Sequence, residues 1–200
     1  LKVGQMKSLD GKRVRILGFN HDTLSEPNTA YGSSTATGKA GISFEYVEFL
    51  MSALMNSSET NSGGWANTAL RGTLNGTTCS SLITTYNIKQ VKKEYIKTYN
   101  SESSKTTSND YLWLLSCGEI WDNGAKGGES RGDAITTEGK QYKYYKMKLG
   151  STKFDSSNDI TKKPSASNSN WWWLRSPNYN ISVDFCNVYS SGICYSNGAS

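Results

Sequence analysis

The apolar and polar positions of the chain divide it into short periodic stretches separated by long polar ones. Residues 13 to 19, Arg-Val-Arg-Ile-Leu-Gly-Phe, alternate and then run apolar, which predicts an early strand. Residues 25 to 41 are rich in Ser, Thr, Gly and Ala, contain Pro27 and lack periodicity, so they predict a surface loop. From Phe44 to Met55 the apolar set Phe44, Val47, Leu50, Met51 and Leu54 recurs at three and four, which predicts an amphipathic helix with Ser43 as N-cap. Asn61 to Gly64 breaks the chain. A second short helix is predicted over Trp65 to Leu74, with Ala66, Leu70 and Leu74 on one face and Asn75-Gly76 as its stop. Ser81 to Tyr86 predicts a further helical turn, Ile88 to Tyr99 a strand, and Asn100 to Asn109 a polar linker.

Tyr111 to Ser116 is a continuous apolar run of strand length, predicting a central strand buried on both faces. Trp171-Trp172-Trp173-Leu174-Arg175-Ser176-Pro177 places half of the six tryptophans on consecutive residues. On a strand, Trp171 and Trp173 face one way and Trp172 the other, which predicts burial on two sides, with Pro177 ending the strand. From Cys186 to Tyr195 the even positions are small or apolar and the odd ones are Asn187, Tyr189, Ser191, Ile193 and Tyr195. That period of two predicts a hairpin turning at Ser190-Ser191-Gly192, with Gly192 left-handed and Val188 opposite Cys194. Cys186 then faces Ser196 rather than Cys194, so a hairpin disulfide is disfavoured and two buried free thiols are expected. Helices followed by strands with long loops, and no internal repeat, predict an α+β architecture in one domain spanning residues 1–200.

Composition narrows the function. Apolar residues make up 36% of 200, and no run approaches the twenty or so that a spanning helix needs, so membrane insertion is not expected. Residues 1 to 20 lack the apolar core of a secretory leader, and a chain opening on Leu1 is expected to be a fragment or a processed form. The four cysteines show no CxxC pair and His21 is the sole histidine, so no structural zinc is expected, and no metal or cofactor is assigned. His21 itself reads as a hydrogen-bonded turn residue. Asp122, Asn123 and Glu129 fail the spacing of a helix-loop-helix calcium loop and read as solvated. P-loop, GxGxxG, HExxH and GxSxG patterns are absent, so no catalytic residues are assigned. Lysines interleaved with tyrosines over Gln141 to Leu149 would suit single-stranded nucleic acid. A solvated strand or helix edge explains them as well, and nucleic acid is not expected as a partner.

The net charge of +5 is carried almost entirely before the C-terminal end: in the 37 residues from Pro164 the charges are Arg175 and Asp184. Asn, Tyr and Ser fill 12 of the 23 positions from Asn178 to Ser200. Lys, Glu, Gln, Met and Trp number 39 in the chain, and all precede residue 178. None of those five types has a codon ending in a pyrimidine, whereas every residue of the segment does. Asparagine codons randomised at their two adenines yield Tyr, Ser, Asp, Ile, Cys, Gly and Val, and never a stop.

Gly18-Phe19-Asn20-His21-Asp22, Gly63-Gly64-Trp65-Ala66, Leu70-Arg71, Leu74-Asn75, Leu112-Trp113-Leu114-Leu115-Ser116 and Trp172-Trp173-Leu174-Arg175-Ser176-Pro177 together resemble an uncharacterised bacterial domain family of C-type-lectin-like fold, related in fold to the formylglycine-generating enzymes. The Asn/Tyr/Ser-rich end resembles the variable region of proteins diversified by retroelements. The resemblance implies two helices packed on small antiparallel sheets with long loops, and a variable ligand-binding segment at 178–200. It implies a non-enzymatic receptor-binding or adhesion domain, part of a larger chain or assembly on a phage particle or bacterial surface, whose partner is a protein or glycan on a cell surface.

Carried over position by position, the residues expected on display are Asn178, Tyr179, Asn180, Ile181, Asp184, Asn187, Tyr189, Ser191, Ile193, Tyr195, Ser196 and Asn197. The expected scaffold is Trp172, Trp173, Leu174, Arg175, Phe185, Val188 and Gly192. Family members usually continue with a Gly-Val-Arg-Pro-like closing strand, which is not in this sequence. Two other readings stand beside this one: a lectin of fixed sugar specificity that stacks its ligand on Trp171 or the tyrosines, and an oxidase of the formylglycine-generating type, which uses a cysteine pair and copper.

Overall fold

The computed structural model describes residues 1–26, 38–121, 137–150 and 170–200. They form three small antiparallel sheets and four short helices, a mixed α+β architecture. The first sheet orders β1 (Met6–Leu9), β2 (Lys12–Phe19) and β4 (Ile42–Tyr46) with β2 central, and the second joins β3 (Thr23–Leu24), β5 (Val91–Ile96) and β6 (Lys105–Asp110). The third consists of β7 (Trp172–Pro177), β8 (Asp184–Val188) and β9 (Cys194–Gly198). The helices are α1 (Ala69–Asn75), α2 (Ser80–Tyr86), α3 (Cys117–Ile120) and α4 (Lys143–Leu149). No helix among the described residues is long and apolar enough to cross a membrane.

Several predicted elements are present. β2 is the early strand, α1 ends at Asn75 before Gly76, and α2 covers the expected turn. Thr68 caps α1 by accepting the Arg71 amide at 3.2 Å. β7 splits its tryptophans between two apolar clusters. Trp172 and Leu174 join Leu17, Ile120, Trp121, Tyr145, Cys186 and Val188 in one, while Trp173 joins Met55, Trp65, Leu70, Leu74, Phe185 and Ala199 in the other. Trp171 packs edge-on against Trp173, with ring centroids 4.6 Å apart.

Three expectations are corrected. The helix predicted from Phe44 to Met55 is instead β4 followed by irregular chain. In β4 the polar residues Ser43 and Glu45 point inward and Phe44 is exposed, because buried partners meet them. Glu45 receives hydrogen bonds from Arg15 and from the Tyr145 hydroxyl, the latter at 2.7 Å, and Ser43 donates to Asp22. The polar linker from Asn100 contains a 3-10 turn at Glu102–Ser104 and then β6, which pairs along its full length with β5. Residues 111–116 form no strand. The Asn75 side chain serves them instead, accepting the amides of Tyr111 (2.7 Å) and Leu112 (3.3 Å) and donating to the Leu112 carbonyl (2.8 Å). Residues 27–37 of the predicted surface loop, and Asp122, Asn123 and Glu129, lie outside the described residues. The tyrosines of the 141–149 stretch are buried, Tyr144 and Tyr145 within α4 and Tyr142 just before it.

Candidate ligand-binding surface

The third sheet carries the segment singled out by composition. β8 and β9 pair with Asp184 opposite Gly198, Cys186 opposite Ser196, Asn187 opposite Tyr195 and Val188 opposite Cys194, the register predicted from alternation. The turn closes through the Tyr189 amide donating to the Ile193 carbonyl and the Gly192 amide donating to the Tyr189 carbonyl, both at 2.8 Å. Gly192 has φ 84°, the left-handed region where a side chain would strain the turn.

Among the residues expected on display, Tyr179, Asn180, Ile181, Tyr189 and Ser191 are exposed, and Asp184, Ile193, Tyr195 and Asn197 are half-buried. They do not form one strand face. Tyr179, Asn180 and Ile181 lie in the loop that enters β8, whereas Tyr189, Ser191 and Ile193 form the turn that leaves it, and the edge strand β9 runs between the two groups. Tyr189 and Tyr195 touch across the turn, ring centroids 5.4 Å apart. All seven scaffold positions are buried.

Asn178, Asn187 and Ser196 are buried, which corrects their expected display. Two of them hold the loop in shape. The Asn178 side chain accepts the amides of Asn180 (2.8 Å) and Ile181 (3.0 Å) and donates to the Ser196 hydroxyl (2.9 Å), which in turn donates to Asp184 (2.8 Å). This is asparagine's ordinary turn chemistry, which the reading of the segment as a display surface passed over. Asn61, read from sequence only as part of a chain break, anchors the same loop by donating to the carbonyls of Ile181 and Asp184. Asn187 is enclosed between Trp173 of β7 and Tyr195 of β9, and its side-chain amide has no hydrogen-bond partner among the described residues.

Beneath the sheet lies a buried charge network. Lys93 sits between Asp22 (2.7 Å) and Glu119 (2.5 Å), and Arg175 binds Glu119 at 2.6 Å. Ser116 and Glu119 form a reciprocal cap at the start of α3, which fixes the carboxylate that receives both cations. Burial works to raise both carboxyls, but Lys93 with its hydrogen bonds to Asp22, and Arg175 with Lys93 at Glu119, hold each below its ordinary value. His21 stacks on Tyr142 at 4.0 Å and burial lowers its pKa, so it is a packed residue beside Asp22.

The thiols depart from expectation in two respects, the first being that Cys186 is buried as expected but Cys194 is only half-buried. Cys186 and Cys194 are not opposite each other in the ladder, yet their sulfurs and that of Cys117 lie within 4.8 Å of one another. Cys186 and Cys194 come from the two strands of one hairpin, but Cys117 is supplied by α3 far away in sequence, so no spacing motif announced the cluster. Burial raises the Cys117 thiol, but hydrogen bonds from Cys186, Cys194 and Ser176 and the charge of Arg175 reverse this and take it well below its ordinary value. The hydrogen bonds that favour the Cys117 thiolate, together with burial, push the Cys186 thiol up.

An α+β scaffold that presents a neutral, aromatic hairpin over a closed core defines the molecule's class. A family model described as a domain of unknown function, DUF6273, matches residues 38–200, and the chain belongs to that family. No curated protein and no solved structure matches the chain.

Proposed function

We propose that the chain is a non-enzymatic ligand-binding domain of C-type-lectin-like fold, in which a retroelement rewrites the displayed residues of the 178–200 segment. The observation that carries this reading is the separation within one segment. Side chains of the segment that face solvent are Tyr, Asn, Ser and Ile, while its own Phe185 and Val188 are buried, as are Trp172, Trp173, Leu174 and Arg175 of the neighbouring β7. Tyrosine brings large contact area with few rotatable bonds and asparagine and serine bring adaptable hydrogen bonds, the chemistry antibody paratopes use. Recognition then proceeds by aromatic contact and hydrogen bonding to a protein or glycan on a cell surface, from a bacterial surface or phage particle. The buried Asn178 and Ser196 shape the loop and do not touch ligand.

A phage-displayed library randomised at Tyr179, Asn180, Ile181, Tyr189, Ser191, Ile193, Tyr195 and Asn197 tests the proposal. It should stay folded for most members and yield binders to an arbitrary protein target. A library that collapses, or one that folds without yielding any binder, contradicts the reading.

One observation favours a fixed-specificity lectin. Trp171 is half-buried and, with Trp113 and Leu50, lines an open, largely apolar groove of about 1050 Å³. Glycan-array binding that survives alanine replacement of the eight displayed residues but is lost in Trp171→Ala would establish that reading instead.

A further inference from the structure

From the convergence of three sulfurs, we infer that Cys117, Cys186 and Cys194 form a three-thiolate site for a soft, thiophilic metal ion, Cu(I), beneath the binding hairpin. None of the displayed residues belongs to this site. The three cysteines come from the start of α3, the middle of β8 and the start of β9, and their sulfurs lie within 4.8 Å of one another. Three metal–sulfur bonds of about 2.3 Å in one plane place the sulfurs about 4 Å apart, so coordination requires only a small contraction. The ladder opposes a disulfide between Cys186 and Cys194. Their diagonal offset puts the Cα atoms about 7–8 Å apart, at or beyond disulfide reach.

The donor set selects the ion. Thiolates favour Cu(I) and Zn(II), and structural zinc takes four ligands. The cluster among the described residues holds three cysteines and neither a histidine nor a carboxylate, a set one ligand short of structural zinc and a complete shell for Cu(I). Each Cu–S bond forms as a thiol proton leaves for solvent, so binding builds negative charge in a closed space. Arg175 answers that charge. Its Nη2 is buried without a hydrogen-bond partner among the described residues, and its neighbour in β7, Ser176, accepts the Cys117 amide at 3.0 Å. Cys117 and Cys186 are buried and Cys194 is half-buried, so the metal enters through Cys194 at the edge of the sheet. Once bound, it ties the hairpin to α3.

Anaerobic titration of the reduced, intact chain with Cu(I) against a chromogenic Cu(I) chelator tests the site. The expected result is one Cu(I) per chain with near-ultraviolet thiolate-to-copper absorption. Cys194→Ser should weaken binding by more than about 100-fold, beyond the range of outer-shell effects, and Cys117→Ser should do the same. Cys79→Ser, which leaves the cluster intact, should bind as the parent does. Circular dichroism of each variant separates lost ligation from lost folding, and the half-buried Cys194 position is the more tolerant of the two. The inference is overturned if the chelator retains the copper, if folded Cys194→Ser binds as tightly as the parent, or if Zn(II) in equal amount displaces Cu(I).

Discussion

Glu138 is fully buried and its carboxyl is held by Ser176 and by the Ile96 amide, the latter at 2.5 Å. Burial outweighs the opposing pull of Arg175 and these hydrogen bonds and pushes its pKa up to about 7. In the unfolded chain the same carboxyl titrates near 4.5. Between those values the folded state holds a proton that the unfolded state has released, so stability falls as pH rises from about 4.5 to 7 and is level above. The loss is about 3 kcal/mol at most. Asp22 and Glu119 act in the opposite direction: their depressed pKa values give stability that is lost as pH falls below about 4. The lowered pKa of His21 opposes Glu138 over the same range, because below about 6.5 the unfolded imidazole takes up a proton that the buried one does not. Urea unfolding at pH 5 and pH 8 should therefore show Glu138→Gln losing stability relative to the parent at pH 5 more than at pH 8. At this scale little was legible in the sequence. Lys93 and Asp22 are 71 positions apart, and Arg175 and Glu119 are 56 apart. Only the tertiary fold brings these distant charges together as buried pairs.

The hairpin and the 42–55 stretch show what decides whether an element can be read from sequence. β8 and β9 alternate in residue type, with Cys186 and Val188 packed in one apolar cluster, and Gly192 marks their turn, so register and loop length were legible, although Phe185 and Asn187 on the other face of β8 are buried as well. β4 alternates too, but with Ser43 and Glu45 inward, and a polarity pattern reads as its inverse when the buried partners Arg15, Tyr145 and Asp22 are out of view. Residues 111–116 were read as a central strand from their apolar character. Their backbone groups are met instead by the side chains of Asn75 and Arg175, the latter donating to the Leu114 carbonyl at 2.8 Å. Asn75→Ala removes both the acceptor and the donor that hold Tyr111 and Leu112. It should destabilise the fold by about 2 kcal/mol in urea titration, with local hydrogen-exchange protection lost first over 111–115. An unchanged unfolding midpoint would mean that water replaces those bonds without loss.

Across the whole molecule, β7 divides two apolar clusters, and the third sheet sets its variable-looking residues at the two ends of β8 over a closed core. The candidate surface was legible as a composition, and its geometry was not. Residue types marked the segment, but burial of Asn178, Asn187 and Ser196 depends on Asn61, Asp184 and Trp173, which no local pattern announces. The thiol cluster escaped for the same reason, its members being supplied by α3, β8 and β9. If the displayed residues are rewritten while the scaffold is kept, the record of that rewriting lies in the gene. Sequencing the genomic locus should reveal a near-copy of the 178–200 coding stretch beside a reverse transcriptase. Differences from that copy should fall at its adenines and include codons of Tyr179, Tyr189, Tyr195 and Ile193. A locus with no such copy, or a copy whose differences fall equally at all four bases and in the codons of Phe185 and Val188, would contradict the account.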